Sequence, residues 1–213
     1  MAKNYSDEIF GVAMTLFHYY SYFKSFRDFD RTEISVACVF LACKIQYTFL
    51  KVEEATDIFN RIKRGSSISG NAQGPDFTKF EVDILNFIGF EMDIETPHKY
   101  FLIYLEKLNP SFARDNKVVN FGFLLINDVY RSNLCIYHPA KYLAMACLIF
   151  TLSDEGFNIN NSVIEEKNII KMASVGINDI LLCDKSINFN NFLVCLDNLL
   201  AIFETKINKD CLK

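Results

Sequence analysis

Apolar residues recur every three to four positions along almost the whole chain, which is the spacing of helices with one buried face. Long segments of alternating apolar and polar residues, typical of half-buried strands, are missing. The glycine- and serine-rich segment 65–75 predicts a mobile loop. The pattern therefore predicts an all-α fold, with helices over residues 6–23, 30–44, 51–64, 76–89, 97–108, 115–132, 138–153, 162–172 and 188–206.

Several of these helices have recognisable signals at their ends. Ser6 suits the start of the first helix, because its side chain can accept a hydrogen bond from a free backbone N–H, and Asp30 or Thr32 suits the start of the second. Gly89 suits the left-handed residue that often follows a helix, and Pro97 suits the first helical position. These residues indicate where four of the helices begin or end.

The second predicted helix is apolar almost all round over residues 34–41, which indicates a central, buried helix. Its run Val-Ala-Cys-Val-Phe-Leu-Ala at 36–42 is echoed by Met-Ala-Cys-Leu-Ile-Phe-Thr at 145–151. Two such runs, each after a long amphipathic helix, suggest a duplicated helical unit. Any two buried helices can look alike, however, so the echo alone leaves duplication and coincidence equally open.

Composition and charge narrow the class of partner. With 213 residues and 51% hydrophobic content, the chain can form one large domain or two small ones. Its net charge of −4 gives no basic surface, so we expect no direct nucleic-acid ligand. Seven cysteines lack paired spacing, and Cys38, Cys43 and Cys147 lie in apolar runs, which predicts small buried hydrophobes in a reducing compartment.

Targeting segments and enzyme motifs are also missing from the sequence. We expect no signal peptide and no membrane partner, because the longest apolar runs are about half of the roughly 20 residues that a spanning helix needs. The phosphate-binding and zinc-binding motifs Gly-x-x-x-x-Gly-Lys, Gly-x-Gly-x-x-Gly and His-Glu-x-x-His do not occur. We therefore predict no catalytic residue, no cofactor and no metal site, and we interpret His98 as a structural residue at a helix start.

Several groups of residues, in order along nearly the whole chain, resemble the cyclin family. Residues 40–45 (Phe-Leu-Ala-Cys-Lys-Ile) are similar to the core of the cyclin box. Residues 81–91, followed by Pro97-His98, are similar to a signature of the transcription-type cyclins, the T, K, L and H classes. Similarity to the second box of that group lies in Asn127-Asp128, in Leu134-Cys135 and in the helix that begins at Pro139.

This resemblance implies tandem cyclin-box helical bundles over residues 1–94 and 95–213. It implies a regulatory subunit, not an enzyme, that binds and activates a cyclin-dependent serine/threonine protein kinase in the control of transcription or RNA processing. The implied location is the nucleus, with the cytoplasm as a second option. The alternative is a scaffold or adaptor of the same fold, similar to a general transcription factor, that does not activate a kinase.

The resemblance also assigns a kinase-binding site. In cyclins, a lysine at the end of the central helix and a glutamate on the fifth helix bond to kinase backbone groups, and these positions correspond to Lys44 and Glu81. We expect the two side chains side by side on one exposed face. From the residues alone, a lysine in a last turn and a glutamate near a first turn also suit the helix dipole without any binding role. The apolar positions that bury against the kinase's mobile C-helix correspond to Leu41, Ile45, Leu85, Phe90 and Met92.

The chain departs from the cyclin pattern at positions that bear on the expected binding surface. Residues 6–23 align with the second helix of the first box, so that box is expected to be incomplete, without its first helix. Gln46 and Tyr47 stand where most relatives have two glutamates, which predicts a different affinity or choice of partner. If the first helix is missing, a partner or a dimer is expected to cover the face formed by Val12, Leu16, Tyr20 and Phe23.

Overall fold

The computed structural model describes residues 6–65, 77–108, 110–152 and 186–210, and within these ranges the chain is helical and contains no strand. The all-α prediction is confirmed. Three predictions lie outside these ranges. They are the helix over 162–172, the loop over 66–75 and the loss of a helix before residue 6. The chain divides into two compact units, Met1–Glu95 and Thr96–Lys213.

The helices of the first unit are α1 (Asp7–Phe23), α2 (Arg31–Ile45), α3 (Val52–Gly65) and α4 (Phe77–Phe87). The second unit contains α5 (Pro97–Leu108), α6 (Pro110–Ala113), α7 (Asn116–Val129), α8 (Leu134–Tyr137), α9 (Ala140–Leu152) and α10 (Phe189–Asp210). The long helices match the predicted ones within a few residues at each end. The four-residue helices α6 and α8 were not predicted.

Each unit is built around one helix that is buried almost all round. In the first unit, α2 packs against α1, α3 and α4, and Ala37, Ala42 and Cys43 have no exposed surface. In the second unit, α9 packs against α5, α7 and α10. Its residues Ala146 and Leu148 have no exposed surface. The echoed segments therefore have the same role in their own units, as central helices surrounded by amphipathic ones.

The predicted start signals of α1 and α2 cap their helices. The Ser6 hydroxyl accepts a hydrogen bond from the Ile9 N–H at 3.4 Å. Asp30 Oδ1 accepts hydrogen bonds from the N–H groups of Thr32 at 2.8 Å and Glu33 at 3.4 Å, while its Oδ2 pairs with the Lys63 ammonium. Burial alone would raise the pKa of Asp30, but the bonds from Lys63 and from the two N–H groups outweigh it and hold the pKa below its usual value.

We expect Asp30→Ala to lower the free energy of unfolding by about 1–2 kcal/mol, because it removes both a helix cap and a partly exposed ion pair. Asp30→Asn should cost less, since asparagine caps about as well as aspartate. Because the folded-state pKa of Asp30 is lowered, its carboxylate stabilises the fold above the unfolded-state pKa, and this contribution is lost as the pH falls through the folded-state pKa. The free energy of unfolding, measured in urea from neutral to acidic pH, should therefore fall less steeply with pH for Asp30→Asn than for the parent protein. Equal losses for the two variants at neutral pH would contradict the capping role.

The apolar face of α1 is covered, contrary to expectation. Val12 and Leu16 have no exposed surface and Tyr20 has 4%, because α1 packs along α2 and also contacts α4. The Tyr20 ring meets the Phe87 ring edge to face at 5.4 Å between centroids. Phe23 alone of the four residues is exposed, at 56%, and it stacks on the same Phe87 ring at 5.5 Å. The expectation that a partner or a dimer covers this face is therefore corrected for Val12, Leu16 and Tyr20, which the chain itself buries.

Most cysteines in the described part of the chain behave as small hydrophobes. Cys38, Cys43, Cys147 and Cys195 are buried, whereas Cys135 is only partly buried. Burial raises the pKa of the Cys195 thiol to about 12, and burial raises the pKa of Cys38 and Cys147 as well. These thiols are therefore protonated at neutral pH and poor nucleophiles. In the part of the chain that the structure describes, no helix is long and apolar enough to cross a membrane. No cluster of His, Cys, Asp and Glu in that part could hold a metal ion.

Candidate functional site

Two neighbouring helices bring Lys44 and Glu81 together. Lys44 lies in the last turn of α2, whereas Glu81 lies in the second turn of α4, and these two helices pack against each other. The Lys44 ammonium donates to both carboxylate oxygens of Glu81, at 2.8 Å to Oε1 and 2.7 Å to Oε2. The predicted proximity of the two side chains, which are 37 residues apart in sequence, is confirmed.

The two partners differ in exposure. The Lys44 side chain is 49% exposed, whereas the Glu81 side chain is only 17% exposed, less than expected for an open surface pair. The ammonium also lies over the Phe40 ring, 4.4 Å from its centroid, and the Phe40 ring packs near that of Phe77 at 6.1 Å. An ammonium has three N–H donors, and a carboxylate can accept about four hydrogen bonds. The pair can therefore offer both a donor and an acceptor to the backbone of a second protein.

Both helices that carry the ion pair end in the same way. After α2, the N–H of Tyr47 bonds to the Lys44 carbonyl at 3.1 Å and the N–H of Thr48 to the Cys43 carbonyl at 2.7 Å. After α4, Gly89 and Phe90 donate to Asn86 and Leu85 at 3.2 and 2.9 Å. Each pair of bonds is a Schellman motif, in which the first residue beyond the cap is left-handed.

The left-handed residue of the second motif is Gly89, with a φ of 62°, as predicted. In the first motif it is Tyr47, with a φ of 52°. A residue with a side chain loses roughly 1–2 kcal/mol in this conformation, whereas glycine does not. Phe90, immediately after Gly89, is also left-handed at 60°. Bulky residues therefore occupy strained backbone positions just beyond both helices that carry the ion pair.

The apolar residues expected around the pair differ in accessibility. Leu41 is 2% exposed and belongs to the core of the first unit, so its expected place in the contact surface is corrected. It lies on the buried side of α2, which is covered within the chain. Ile45 and Leu85 are partly buried against this core. Phe90 and Met92 are exposed at 59% and 53%.

Two further exposed aromatic residues follow the Lys44 turn. Tyr47 is 100% exposed and Phe49 is 74% exposed. The sequence indicated Tyr47 only as a departure from the cyclin pattern, and it did not assign Phe49 to the site. The signal available for Phe49 was its position beyond the end of a buried helix. An exposed apolar surface beside paired charges is the composition of a protein interface.

Comparison with known proteins supports the family resemblance. No protein-family model matches the chain. Cyclin pch1 of Schizosaccharomyces pombe is 23% identical over 154 residues, covering 68% of this chain and 44% of that protein. Human Cyclin-K is 25% identical over 136 residues (62% of this chain, 23% of Cyclin-K), and human Cyclin-L1 is 26% identical over 144 residues (62% and 27%). The chain is a homologue of the cyclins. It spans less than half the length of these relatives.

The solved structures show that this cyclin homologue has the fold of its relatives. A chain of the CAK complex from Chaetomium thermophilum matches with a TM-score of 0.63 at 15% identity, over 92% of this chain and 56% of that chain. A chain of the yeast TFIIK complex (Kin28/Ccl1/Tfb3) matches with a TM-score of 0.60 at 15% identity, over 93% and 77%. The similarity to Cyclin-K and Cyclin-L1 confirms the transcription-type classes indicated by the motifs.

In the cyclin homologue, two of the motifs that resemble cyclins, Pro-His and Asn-Asp, contribute residues that pack together in the second unit. His98 is 1% exposed, and its Nε2 lies 3.2 Å from Asn127 Oδ1. Its ring stacks near that of Tyr130 at 6.1 Å and meets Phe123 edge to face at 5.0 Å. The Pro-His and Asn-Asp motifs therefore meet in one hydrogen bond between α5 and α7. The interpretation of His98 as a structural residue is confirmed.

Proposed function

We propose that this cyclin homologue is a regulatory subunit that binds and activates a cyclin-dependent serine/threonine protein kinase, with the two units acting as two cyclin boxes. The observation that carries the proposal is the Lys44–Glu81 pair, which joins two packed helices. The role in transcription or RNA processing, and hence a nuclear location, follows from the similarity to Cyclin-K and Cyclin-L1.

The surroundings of the pair suit a protein partner. The half-exposed ammonium of Lys44 can donate to a kinase backbone carbonyl, and the Glu81 carboxylate can accept from a backbone N–H. Phe90 and Met92 add exposed apolar area on the segment that follows α4. In such an interface the apolar residues supply most of the binding free energy, while the charged hydrogen bonds set the register.

Activation requires more than binding, because a regulatory subunit can shift a kinase only through different contacts with its active and inactive states. In cyclins the contacted element is the mobile C-helix of the kinase, whose position controls activity. A rigid surface selects one position of that helix. The two Schellman motifs and the ion pair provide such rigidity at the ends of α2 and α4.

A second candidate function is a cyclin-like adaptor that binds proteins without activating a kinase. The uncharged Gln46 and Tyr47, at positions where most relatives carry glutamates, favour this alternative. A scaffold that contacts promoter DNA is less favoured, because the net charge of −4 opposes binding to phosphates.

The test measures whether the purified chain binds and activates isolated catalytic subunits of cyclin-dependent kinases, in a panel that includes yeast Kin28. Affinity is measured by titration calorimetry, and activity is measured as phosphorylation of myelin basic protein, with each kinase alone as control. Binding that raises activity supports the proposal. Binding without increased activity contradicts it in favour of the adaptor, and an absence of binding across the panel overturns it.

A further inference from the structure

Tyr47 combines three properties that are rarely found together. It is 100% exposed, it has a left-handed backbone with a φ of 52°, and it follows directly after the helix that carries Lys44. Among the described residues, the non-glycine residues with positive φ are Tyr47 and Phe90. Both are exposed aromatic residues, and each lies just beyond a helix that carries one member of the ion pair.

The position that Tyr47 occupies is one in which glycine is most stable. In a Schellman motif the left-handed residue needs no side chain, because the motif is held together by backbone hydrogen bonds alone. A bulky side chain there opposes the fold, and the full exposure of Tyr47 means that its ring gains no packing within the chain in return. Strained positions of this kind cluster at binding and active sites.

The turn presents the ring from a fixed backbone. The N–H of Tyr47 bonds to the Lys44 carbonyl at 3.1 Å, which places its backbone one helical turn from the ammonium-bearing residue. The next residue, Thr48, bonds to the Cys43 carbonyl at 2.7 Å, and its hydroxyl donates to the Gln46 carbonyl at 3.3 Å. Leu50, 6% exposed, anchors the far end of the turn in the core. A rigid aromatic side chain loses little entropy when it binds a partner.

The chemistry of the turn indicates the kind of surface that it fits. Residues 46–50 read Gln-Tyr-Thr-Phe-Leu and carry no charge. A tyrosine offers a flat apolar ring with one hydroxyl at its end, which suits an apolar recess with a polar group at its floor. Tyrosine is also among the residues that most often dominate the binding energy of an interface.

We propose that Tyr47 is a specificity-determining contact residue, which inserts into an uncharged apolar recess of the partner kinase beside the Lys44–Glu81 contact. This inference rests on the proposed kinase-binding function. Kinases with a basic patch at that place would be poor partners, because the turn offers no carboxylate to pair with it. The strained tyrosine thus favours one class of kinase at the expense of the stability of the free chain.

The test uses Tyr47→Gly, Tyr47→Phe and Tyr47→Glu in the full chain, against the kinase from the panel that the parent protein binds. Tyr47→Gly should raise the Tm, by about 2–4 °C for each kcal/mol of strain removed, yet weaken binding at least tenfold. Tyr47→Phe, which keeps the ring, should lose much less affinity, and Tyr47→Glu should bind as weakly as Tyr47→Gly or more weakly. Tyr22→Ala, which removes a 60% exposed tyrosine on α1, should leave binding unchanged.

The outcomes separate this inference from the function on which it rests. Tyr47→Gly that binds the kinase as tightly as the parent overturns the inference and leaves the proposed function intact. A Tm below that of the parent also overturns it, because the ring would then stabilise the chain itself. A parent protein that binds no kinase of the panel overturns both proposals.

Discussion

Replacing Lys44 and Glu81 together by alanine is expected to weaken kinase binding at least tenfold, about 1.4 kcal/mol, and to reduce activation in parallel. Each residue would lose a charged hydrogen bond to a kinase backbone group, and such bonds contribute about 1.5–3 kcal/mol each. The free chain should lose no more than about 1 kcal/mol of stability, because the ion pair is partly exposed and replacing both residues leaves no unpaired charge behind. Calorimetry gives the affinity, and urea unfolding gives the stability.

Two further variants separate recognition from stability at this pair. Lys44→Ala alone should destabilise the chain more than the double variant, since it leaves the 17% exposed Glu81 carboxylate without its ammonium partner. The double variant Lys44→Glu with Glu81→Lys keeps a pair of opposite charges but exchanges the positions of the hydrogen-bond donor and the acceptor. It should therefore fold and fail to bind.

The matched control is the ion pair between Arg131 and Asp128 in the second unit, with 3.4 Å between Nε and Oδ1. Removing both of its side chains should leave kinase affinity unchanged. Parental affinity in either double variant of Lys44 and Glu81 would show that these positions do not contact the kinase. The adaptor function would then be favoured.

Gly122→Ala is expected to destabilise the second unit by about 1–3 kcal/mol, the usual cost of overpacking a core. A Cβ at Gly122 on α7 would lie 2.0 Å from Cζ of Phe101, a fully buried ring on α5. The ring has no exposed direction in which to move. The free energy of unfolding, measured in urea, should fall accordingly.

Gly65→Ala is the matched control, because a Cβ there meets nothing within 4 Å. It should change stability by no more than about 0.5 kcal/mol. Phe101→Leu shortens the obstructing side chain, so adding it to Gly122→Ala should cost less than the sum of the two single changes. Equal stabilities of the Gly122 and Gly65 variants would show that Phe101 does not fill the space beside Gly122.

The parts of the fold that could be predicted are those set by local chemistry. Ser6 and Asp30 cap helices because a short polar side chain reaches a nearby N–H, and this depends on no other part of the chain. Gly89 takes the left-handed position for an equally local reason. The meeting of Lys44 with Glu81 depended instead on the resemblance to cyclins, since spacing alone does not determine which distant helices pack together.

The features that escaped prediction depend on tertiary packing or lack a periodic pattern. Leu41 and Val12 have the same apolar character as an interface residue, and only the neighbouring helices decide that they are buried. The helices α6 and α8, with four residues each, are too short to show helical periodicity. The left-handed backbone of Tyr47 could not be predicted from the sequence, because tyrosine has no preference for that conformation.

The bond between His98 and Asn127 has a structural role, unlike the contact proposed for Lys44 and Glu81. Both residues lie within the second unit, and their role is to hold α5 and α7 together, so selection for a stable chain is enough to retain them. Lys44 and Glu81 lie in the first unit, and losing both charges together should cost the chain little stability. Under the proposed function, a lineage that ceased to regulate kinases could therefore lose the charged pair and still carry the Pro-His and Asn-Asp motifs. Positions 44 and 81 would then indicate more directly than these motifs whether such a descendant still binds a kinase.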